Sequence, residues 1–392
     1  MSDFFTQNLF ASLNQLPHRY HILVFSQSDI QRKTLVIFGP EIWEAQKFGG
    51  ISKYFSQLIT RVSADPRFEV RVLTFTLDNV ELQELALTQE IKIIKKSRFV
   101  FGMYSEMRNF RGSKIYHQTY YKSLNILVAR LFKFKTFLTV YDLISEIFPS
   151  RKSIFTLPRL NNKKWSIKST DRLIAISNCT KIDLEKFYSV SNKPIEVIHL
   201  ASGESQKAQN DNVIISNDYF LYVGKRSGYK NFKLLLEAMV LLRNRGYNPT
   251  LIAYGGGDVE VEFMEFVSAH NLKDQVIFTN DEITLDILYQ GARGFIYPSL
   301  YEGFGIPLLD AMKFYCPVIA SDIPSTREVG SDFVEYFDPL DAYSLSSAME
   351  IILESSASLA LRKLLAFEHA TKYSWEATAL RTCQYYLNSV KQ

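Results

Sequence analysis

One pattern constrains this chain more than any other: short apolar, β-branched runs alternate with amphipathic helical stretches, stop once, and then start again. LVIF (35–38) leads through GGISKYFSQLITRV (49–62) to VRVLTF, and KIYHQT (114–119), TFLTVYD (136–142), RLIAIS (172–177) and IEVIHL (195–200) follow. Runs apolar at successive positions, rather than at every second one, belong to parallel strands covered on both faces. ASGESQKAQNDNVIISND (201–218) is polar and unpatterned and reads as a linker. Beyond it come YFLYVG (219–224), the helical NFKLLLEAMVLLRNRG (231–246), TLIAYG (250–255), VIFT (276–279) and GFIYPS (294–299). IPLLDAMKFY (306–315), PVIAS (317–321) and LSSAMEIILESS (345–356) complete the second set. The pattern predicts two doubly wound, Rossmann-like α/β domains, 35–205 and 206–375, facing each other across a cleft. Ligands of such sheets bind beyond the carboxyl ends of the strands, which here means in the cleft. Residues 1–34 precede the pattern as an extension of unassigned role.

Composition fits a folded globular chain of this size. At 392 residues, 47% hydrophobic and 22% charged, it excludes intrinsic disorder, and no apolar run is long enough to span a bilayer. The first twenty residues lack the basic start and apolar stretch of a signal peptide. Cys179, Cys316 and Cys383 lie far apart, with neither a disulfide framework nor zinc-ligand spacing, so a cytoplasmic setting is expected. The charge of +4 conceals an asymmetry: residues 1–200 hold 29 Lys+Arg against 17 Asp+Glu, and the remainder 16 against 24. Most of the basic excess lies in 92–186. Lysines solvated on helix faces account for it as well as an anionic partner does. No helix-turn-helix, zinc finger or RNP-like motif accompanies the charge, so nucleic acid is not expected. An anionic membrane surface or a phosphorylated acceptor fits at least as well, giving a cytoplasmic protein with a peripheral position on the inner membrane face.

Three stretches carry candidate chemistry. Gly49-Gly50 stands between the first strand and its helix, where backbone can approach a ligand and a helix N-terminus faces an anion; a plain turn explains the same glycines. Arg226 and Lys230 follow the strand YFLYV, and an arginine fork with a mobile ammonium suits a diphosphate. YPSLYEGFGIPLLDAM (297–312) is the most informative stretch: Glu302 and Asp310 stand eight apart, separated by Gly303, Phe304 and Gly305, with Pro307 in a first helical turn. The glycine turn offers backbone donors to phosphate oxygens. Glu302 can reach a sugar hydroxyl, and Asp310, a turn into the helix, can accept from a ribose.

This last stretch resembles the E-x7-E signature of family 4 of the retaining glycosyltransferases, which have the GT-B fold. The wording is closest to the bacterial mannosyltransferase-like subgroup. Arg226 and Lys230 resemble that family's diphosphate-binding pair, and Gly49-Gly50 its N-terminal glycine loop. TVYDLISEIFP (139–149), IAISNCTKIDL (174–184), PVIASDIPSTREV (317–329) and YSW (373–375) match in order, so the resemblance runs from about Phe38 to Trp375. It implies a catalytic set of Glu302, Arg226, Lys230 and Asp142, and donor contacts from Gly49, Gly50, Arg226, Lys230, Glu302, Gly303, Phe304, Gly305 and Asp310. His117 and Tyr141 are implied on the acceptor side, and a last helix near 376–392 returns to the first domain. Two positions depart from the family's wording: Asp310 replaces the usual second Glu, and Tyr141 stands where many members carry His.

The implied reaction moves a hexose, mannose from GDP-mannose as a first reading, from a nucleotide-diphosphate sugar to a saccharide or lipid-linked saccharide acceptor in surface polysaccharide or lipopolysaccharide synthesis. There is no Asp-x-Asp; the nearest groupings are Asp258-x-Glu260 and the spaced Asp338 and Asp341. The two cations and two helix N-termini suffice for the leaving diphosphate, so no metal and no further cofactor are expected. A sugar-nucleotide epimerase and a non-catalytic nucleotide-sugar-binding subunit stand as alternatives.

Overall fold

The computed structural model describes residues 33–88, 91–95, 99–107, 110–149, 157–203, 219–280, 285–354 and 357–391. The expected extension, up to residue 32, and residues 204–218 of the expected linker lie outside the described residues.

Among these residues the chain builds two parallel sheets. The first has seven strands in the order β3-β2-β1-β4-β5-β6-β7 and the second six in the order β10-β9-β8-β11-β12-β13. The first sheet comprises β1 (Thr34–Phe38), β2 (Phe68–Thr74), β3 (Lys92–Lys95), β4 (Lys114–Gln118), β5 (Lys135–Val140), β6 (Arg172–Ala175) and β7 (Ile195–Val197). The second comprises β8 (Tyr219–Val223), β9 (Thr250–Tyr254), β10 (Val276–Thr279), β11 (Gly294–Tyr297), β12 (Val318–Ser321) and β13 (Glu335–Phe337). Central strands such as TLVIF, RLIA, GFIY and VIAS are buried at every position, which explains their unbroken apolar sequences. β3 and β13 were absent from the sequence reading. Both are edge strands, and their sequences KIIK and EYF carry charge or half-exposed positions that hide the signal.

Helices cover both faces. On the first sheet, Gly50–Ser63 buries Tyr54, Phe55, Leu58, Ile59 and Val62 on one side. The opposite side carries Phe99–Met107, Ser123–Leu131, Leu157–Ser169 and Asn178–Tyr188, whose Met103, Ala129, Ile167 and Leu184 enter separate apolar clusters. The last helix, Trp375–Val390, opens on Ser374, whose side chain accepts from the Ala377 N–H, and packs against Gly50–Ser63. Its Tyr386 ring meets Phe68 and Phe137 edge-on. The chain therefore closes on the sheet where it began.

Each sheet reverses strand order once: between β1 and β4 in the first, between β8 and β11 in the second. A crevice opens at the carboxyl ends of the strands at such a point. The segments that leave these strand ends make the facing walls described next.

Candidate functional site

The second sheet supplies one wall. After β8 the backbone turns at Gly224 (φ +124°), runs through the short 3-10 turn Gly228–Lys230 and enters the helix Phe232–Asn244 through Asn231 in the left-handed region. This places the Lys230 ammonium 2.6 Å from Glu302 Oε1. The ammonium also lies over the rings of Tyr229 and Tyr297, 5.3 and 5.5 Å from their centroids. A carboxylate and two ring faces thus hold it at one point. Burial, and then the charge of Glu302, push the Tyr297 hydroxyl well above its ordinary range.

Glu302 opens a turn that no residue with a side chain could replace at its second position. A Cβ on Gly303 would come within 1.9 Å of the Tyr141 carbonyl oxygen and 3.3 Å of Asp142 Cβ, so glycine lets the two walls touch backbone to backbone. The Gly303 carbonyl accepts from Ser177 Oγ at 2.6 Å and from Thr180 Oγ1 at 3.2 Å. Phe304 is buried and stacked on His199, with 5.7 Å between centroids. Gly305, at φ +130°, then starts the helix Ile306–Lys313 with Pro307 in its first turn. The Leu308 and Leu309 N–H groups bond the Gly305 carbonyl and Pro307 has no N–H, so this pinned N-terminus presents the positive end of its dipole at the cleft rather than a row of free donors.

The first sheet supplies the facing wall. Beyond β5, Asp142 Oδ1 accepts from the Ile144 N–H at 3.1 Å. Burial raises its pKa, opposed mainly by Lys163. Lys163 is itself buried; it donates to the Asp142 carbonyl and to Glu146, both at 2.9 Å. Asp142 and Glu302 feel each other's charge across the junction. The Tyr141 ring is buried edge-on to Tyr54, and its hydroxyl has no partner among the described residues. Gly49 and Gly50 stand at the start of the helix Gly50–Ser63, and a Cβ on Gly50 would meet nothing within 4 Å. On the helix that follows, Lys53 faces Asp310, whose pKa is raised to about 6 by burial, against the pull of Lys53, Lys313 and a bond from the Gly203 backbone.

Two expected positions are placed elsewhere. Arg226 is buried and turned away from the cleft: it donates to the carbonyls of Gly255 (2.5 Å), Gly257 (2.6 Å) and Asp258 (3.1 Å). Gly255, Gly256 and Gly257 all have positive φ, which turns their loop around the guanidinium. His117 lies in the core beneath the sheet, not on an acceptor surface. Its Nδ1 meets the Tyr386 hydroxyl, its Nε2 the Thr139 hydroxyl at 3.0 Å, and burial lowers its pKa to about 3. The structure thus brings together Lys230, Glu302, Gly303, Phe304, Gly305, Tyr141 and Asp142, with Gly49, Gly50 and Asp310 further along the junction.

Several participants were missed in the sequence. Ser177, which caps the helix Asn178–Tyr188, and Thr180 grip Gly303. Glu328 ties the halves together by accepting from the backbone N–H groups of Asn178 and Cys179 and pairing with His199 at 2.7 Å. The Ser-x-x-Thr helix start was a visible signal. Glu328 on a short helix had none.

Residues 205–365 match the family described as Glycosyl transferases group 1. The chain is similar to the O-antigen chain mannosyltransferase RfbU of Salmonella typhimurium, 34% identical over 48% of this chain and 53% of that protein. It is also similar to the O-antigen chain mannosyltransferase B of Escherichia coli, 32% identical over 43% and 45%. The chain thus spans about half the length of the curated relatives it matches. In fold it is similar to a sucrose-phosphate synthase from Thermosynechococcus elongatus, with TM-score 0.71 and 19% identity over 91% of this chain and 99% of that one. HepE of Anabaena in complex with UDP and glucose gives TM-score 0.67 at 13% identity over 91% and 100%. By sequence the second half is thus similar to the group 1 glycosyltransferases and to bacterial O-antigen mannosyltransferases, and the two-sheet architecture is similar to that of solved GT-B glycosyltransferases.

Proposed function

We propose that the chain is a retaining, metal-independent hexosyltransferase that moves a sugar from a nucleotide-diphosphate donor to a saccharide or lipid-linked saccharide acceptor. Surface polysaccharide or lipopolysaccharide synthesis is the setting, and mannose from GDP-mannose is the first reading of the donor, in line with the names of the relatives.

The observation that carries the reading is the Lys230–Glu302 pair beside the pinned N-terminus of Ile306–Lys313. Charge develops on the leaving diphosphate as the sugar–oxygen bond breaks. A fixed ammonium and the positive end of a helix dipole meet that charge without reorganising, the arrangement that contributes most to such reactions. Arg226 acts from behind: it shapes the Gly255–Gly257 loop, and among the described residues its charge has only Glu260, at 3.5 Å, as a carboxylate partner. Glu302 faces the sugar, and Asp142 lines the acceptor side.

The test is transfer from GDP-mannose to a lipid-linked saccharide, with the product's anomeric configuration read by NMR. A panel of GDP-, UDP-, ADP- and dTDP-sugars identifies the donor by thermal stabilisation of about 2.7 kcal/mol at a hundredfold excess over Kd. Glu302→Gln should abolish most turnover while nucleotide binding largely survives, and activity should persist in EDTA. A free epimerised sugar, an inverted product, or loss in EDTA restored by Mg²⁺ would each overturn the corresponding part.

A further inference from the structure

We propose that Lys163 is a positioning residue: paired with Glu146, it fixes the turn after β5 that presents Asp142 to the junction with the Glu302 turn. Resting on the role given to Asp142 above, this names the side chain by which the first wall holds that carboxylate.

Among the described residues Lys163 is the one lysine that is buried, at 5% exposure, while its neighbour Lys164 lies open to solvent. It stands on the helix Leu157–Ser169, and its ammonium donates to three groups of one short segment. These are the Asp142 carbonyl at 2.9 Å, the Ser145 hydroxyl at 3.4 Å and Glu146 Oε2 at 2.9 Å. An ammonium has three N–H donors, and the segment 142–146 takes all three. The Tyr121 ring, its centroid 5.5 Å from the ammonium, closes a further side. Glu146 is held in turn. It accepts from the Ser145 hydroxyl at 2.7 Å and from the Tyr188 hydroxyl at the end of the helix Asn178–Tyr188. A single helical turn such as Ile144–Ile147 is unstable by itself, and here two longer helices clamp it.

The clamp reaches Asp142 through the same few residues. Asp142 Oδ1 accepts from the Ile144 N–H, so the segment that Lys163 holds also orients the carboxylate. Apolar packing would stabilise a buried contact as well as an ion pair does. It could not grip a carbonyl, a hydroxyl and a carboxylate together, nor set a positive charge behind Asp142. Burial raises the Asp142 pKa, and Lys163 is the main counterweight, followed by the Ile144 N–H. Glu146 and Glu302 add to the rise, and the Tyr121 and Tyr229 hydroxyls feel the same charge. Loss of the cation would therefore free the turn and favour the protonated acid at once.

The test replaces the pair together, Lys163→Met with Glu146→Gln, so that no buried charge is left alone. In transfer assays kcat should fall about tenfold to a hundredfold, as a shift of about 1 Å can cause. KM for the donor should stay within about threefold, because Lys230 and Glu302 lie on the other wall. The acid limb of kcat should move to higher pH. Lys164→Gln, one position along, should change none of these. Asp142→Asn is the reference. If it keeps full turnover, the role given to Asp142 fails and the positioning role with it; if it is slow and the pair variant is not, only the positioning role fails. A second readout needs no transfer at all. At neutral pH Asp142→Asn should raise the melting temperature more in the pair variant than in the wild-type background, with the difference narrowing toward about pH 4. Should the pair variant not fold, Glu146→Gln alone decides. It removes a charge that raises the Asp142 pKa, so the acid limb should move to lower pH. Equal Asp142→Asn effects in the two backgrounds, a donor KM that moves with kcat, or an acid limb that stays in place would overturn the proposal.

Discussion

The same position in the two sheets carries opposite charges, and both are buried. Three residues after the end of β1 stands Glu41; three after the end of β8 stands Arg226. Glu41 accepts from the Tyr116 hydroxyl, Asn125 Nδ2, the Thr119 N–H and the Thr119 hydroxyl. Arg226 donates to the carbonyls of Gly255, Gly257 and Asp258. Glu41 braces the loop after β4, across the switch point, and Arg226 the loop after β9, on the other side of β8, so the two leave charge of opposite sign beside their strands. For the nucleotide-diphosphate donor proposed above, this difference in sign favours the second crevice over the first.

The contrast continues at the surface, with the sign reversed. The first half is basic and the second acidic. The basic side chains of the first half are spread over strands, loops and helices, and the cations near the cleft come from both halves, Lys230 and Lys313 from the second and Lys53 and Lys163 from the first. Net charge per half therefore says little about the site and more about what the outer faces meet.

The junction between the halves is the place to break this arrangement most severely. Gly303→Ala forces a methyl against the Tyr141 carbonyl and displaces both Glu302 and the helix N-terminus. A fall in kcat/KM of about 10³-fold is expected, from misplacement combined with lost donors. A Gly303→Ala protein with unaltered kinetics would mean that the backbone contact is not kept during turnover.

The two buried charges sharpen the comparison when removed in parallel. Arg226→Ala should lower kcat/KM about 10²-fold and also lower the melting temperature, because three loop carbonyls lose their donor. Glu41→Gln keeps the shape but sets an amide N–H₂ against donors. It should cost about 2–4 kcal/mol in stability with only a small effect on the kinetics of the folded enzyme. Equal kinetic losses in the two variants would remove the distinction between a charge that only braces its loop and one whose loop also serves the donor.

How much of this was legible follows from which residues act alone. Both sheets and their central strands could be read from continuous apolar runs, and the turn at 302–305 from glycines beside a helix start. Lys230 and Glu302 were identified separately; their contact, across 72 positions, was not a sequence feature. His117 was misjudged because a histidine on a buried strand reads the same whether it faces a cleft or a core. Arg226 was aimed at the cleft because the carbonyls that receive it, those of Gly255, Gly257 and Asp258 some thirty residues later, leave no mark near Arg226 itself.

Asp310 tests the junction by pH. Its folded pKa is raised from 3.8 to about 6, so the native state binds its proton more tightly than the unfolded chain. That contribution is fully present below the unfolded value and is lost as pH rises through the folded one. At neutral pH the ionised group is a net cost, on the order of 1–2 kcal/mol after allowing for its partial exposure. Asp310→Asn should therefore melt higher than wild type near neutral pH, with the gap narrowing toward about pH 4. Parallel melting curves against pH would show that Lys53 and Lys313 compensate the carboxylate fully.

The smallest effect expected is that of Asp310→Glu, which restores the residue usual in the family. In this chain the aspartate accepts from the Gly203 backbone and lies between Lys53 and Lys313, so its carboxylate is held by the segment leaving β7. One more methylene carries the charge past Gly203 but keeps it within reach of both lysines, which are long and can follow. The loss of one backbone bond and the gain in reach toward a ribose oppose each other. A change in KM for the donor of less than about threefold is expected, with kcat unaltered, because the group binds and does not react. A tenfold loss would show that the Gly203 bond fixes the junction itself, and that the shorter acid is matched to this chain rather than a tolerated departure. A tenfold gain would show that the aspartate falls short of the ribose.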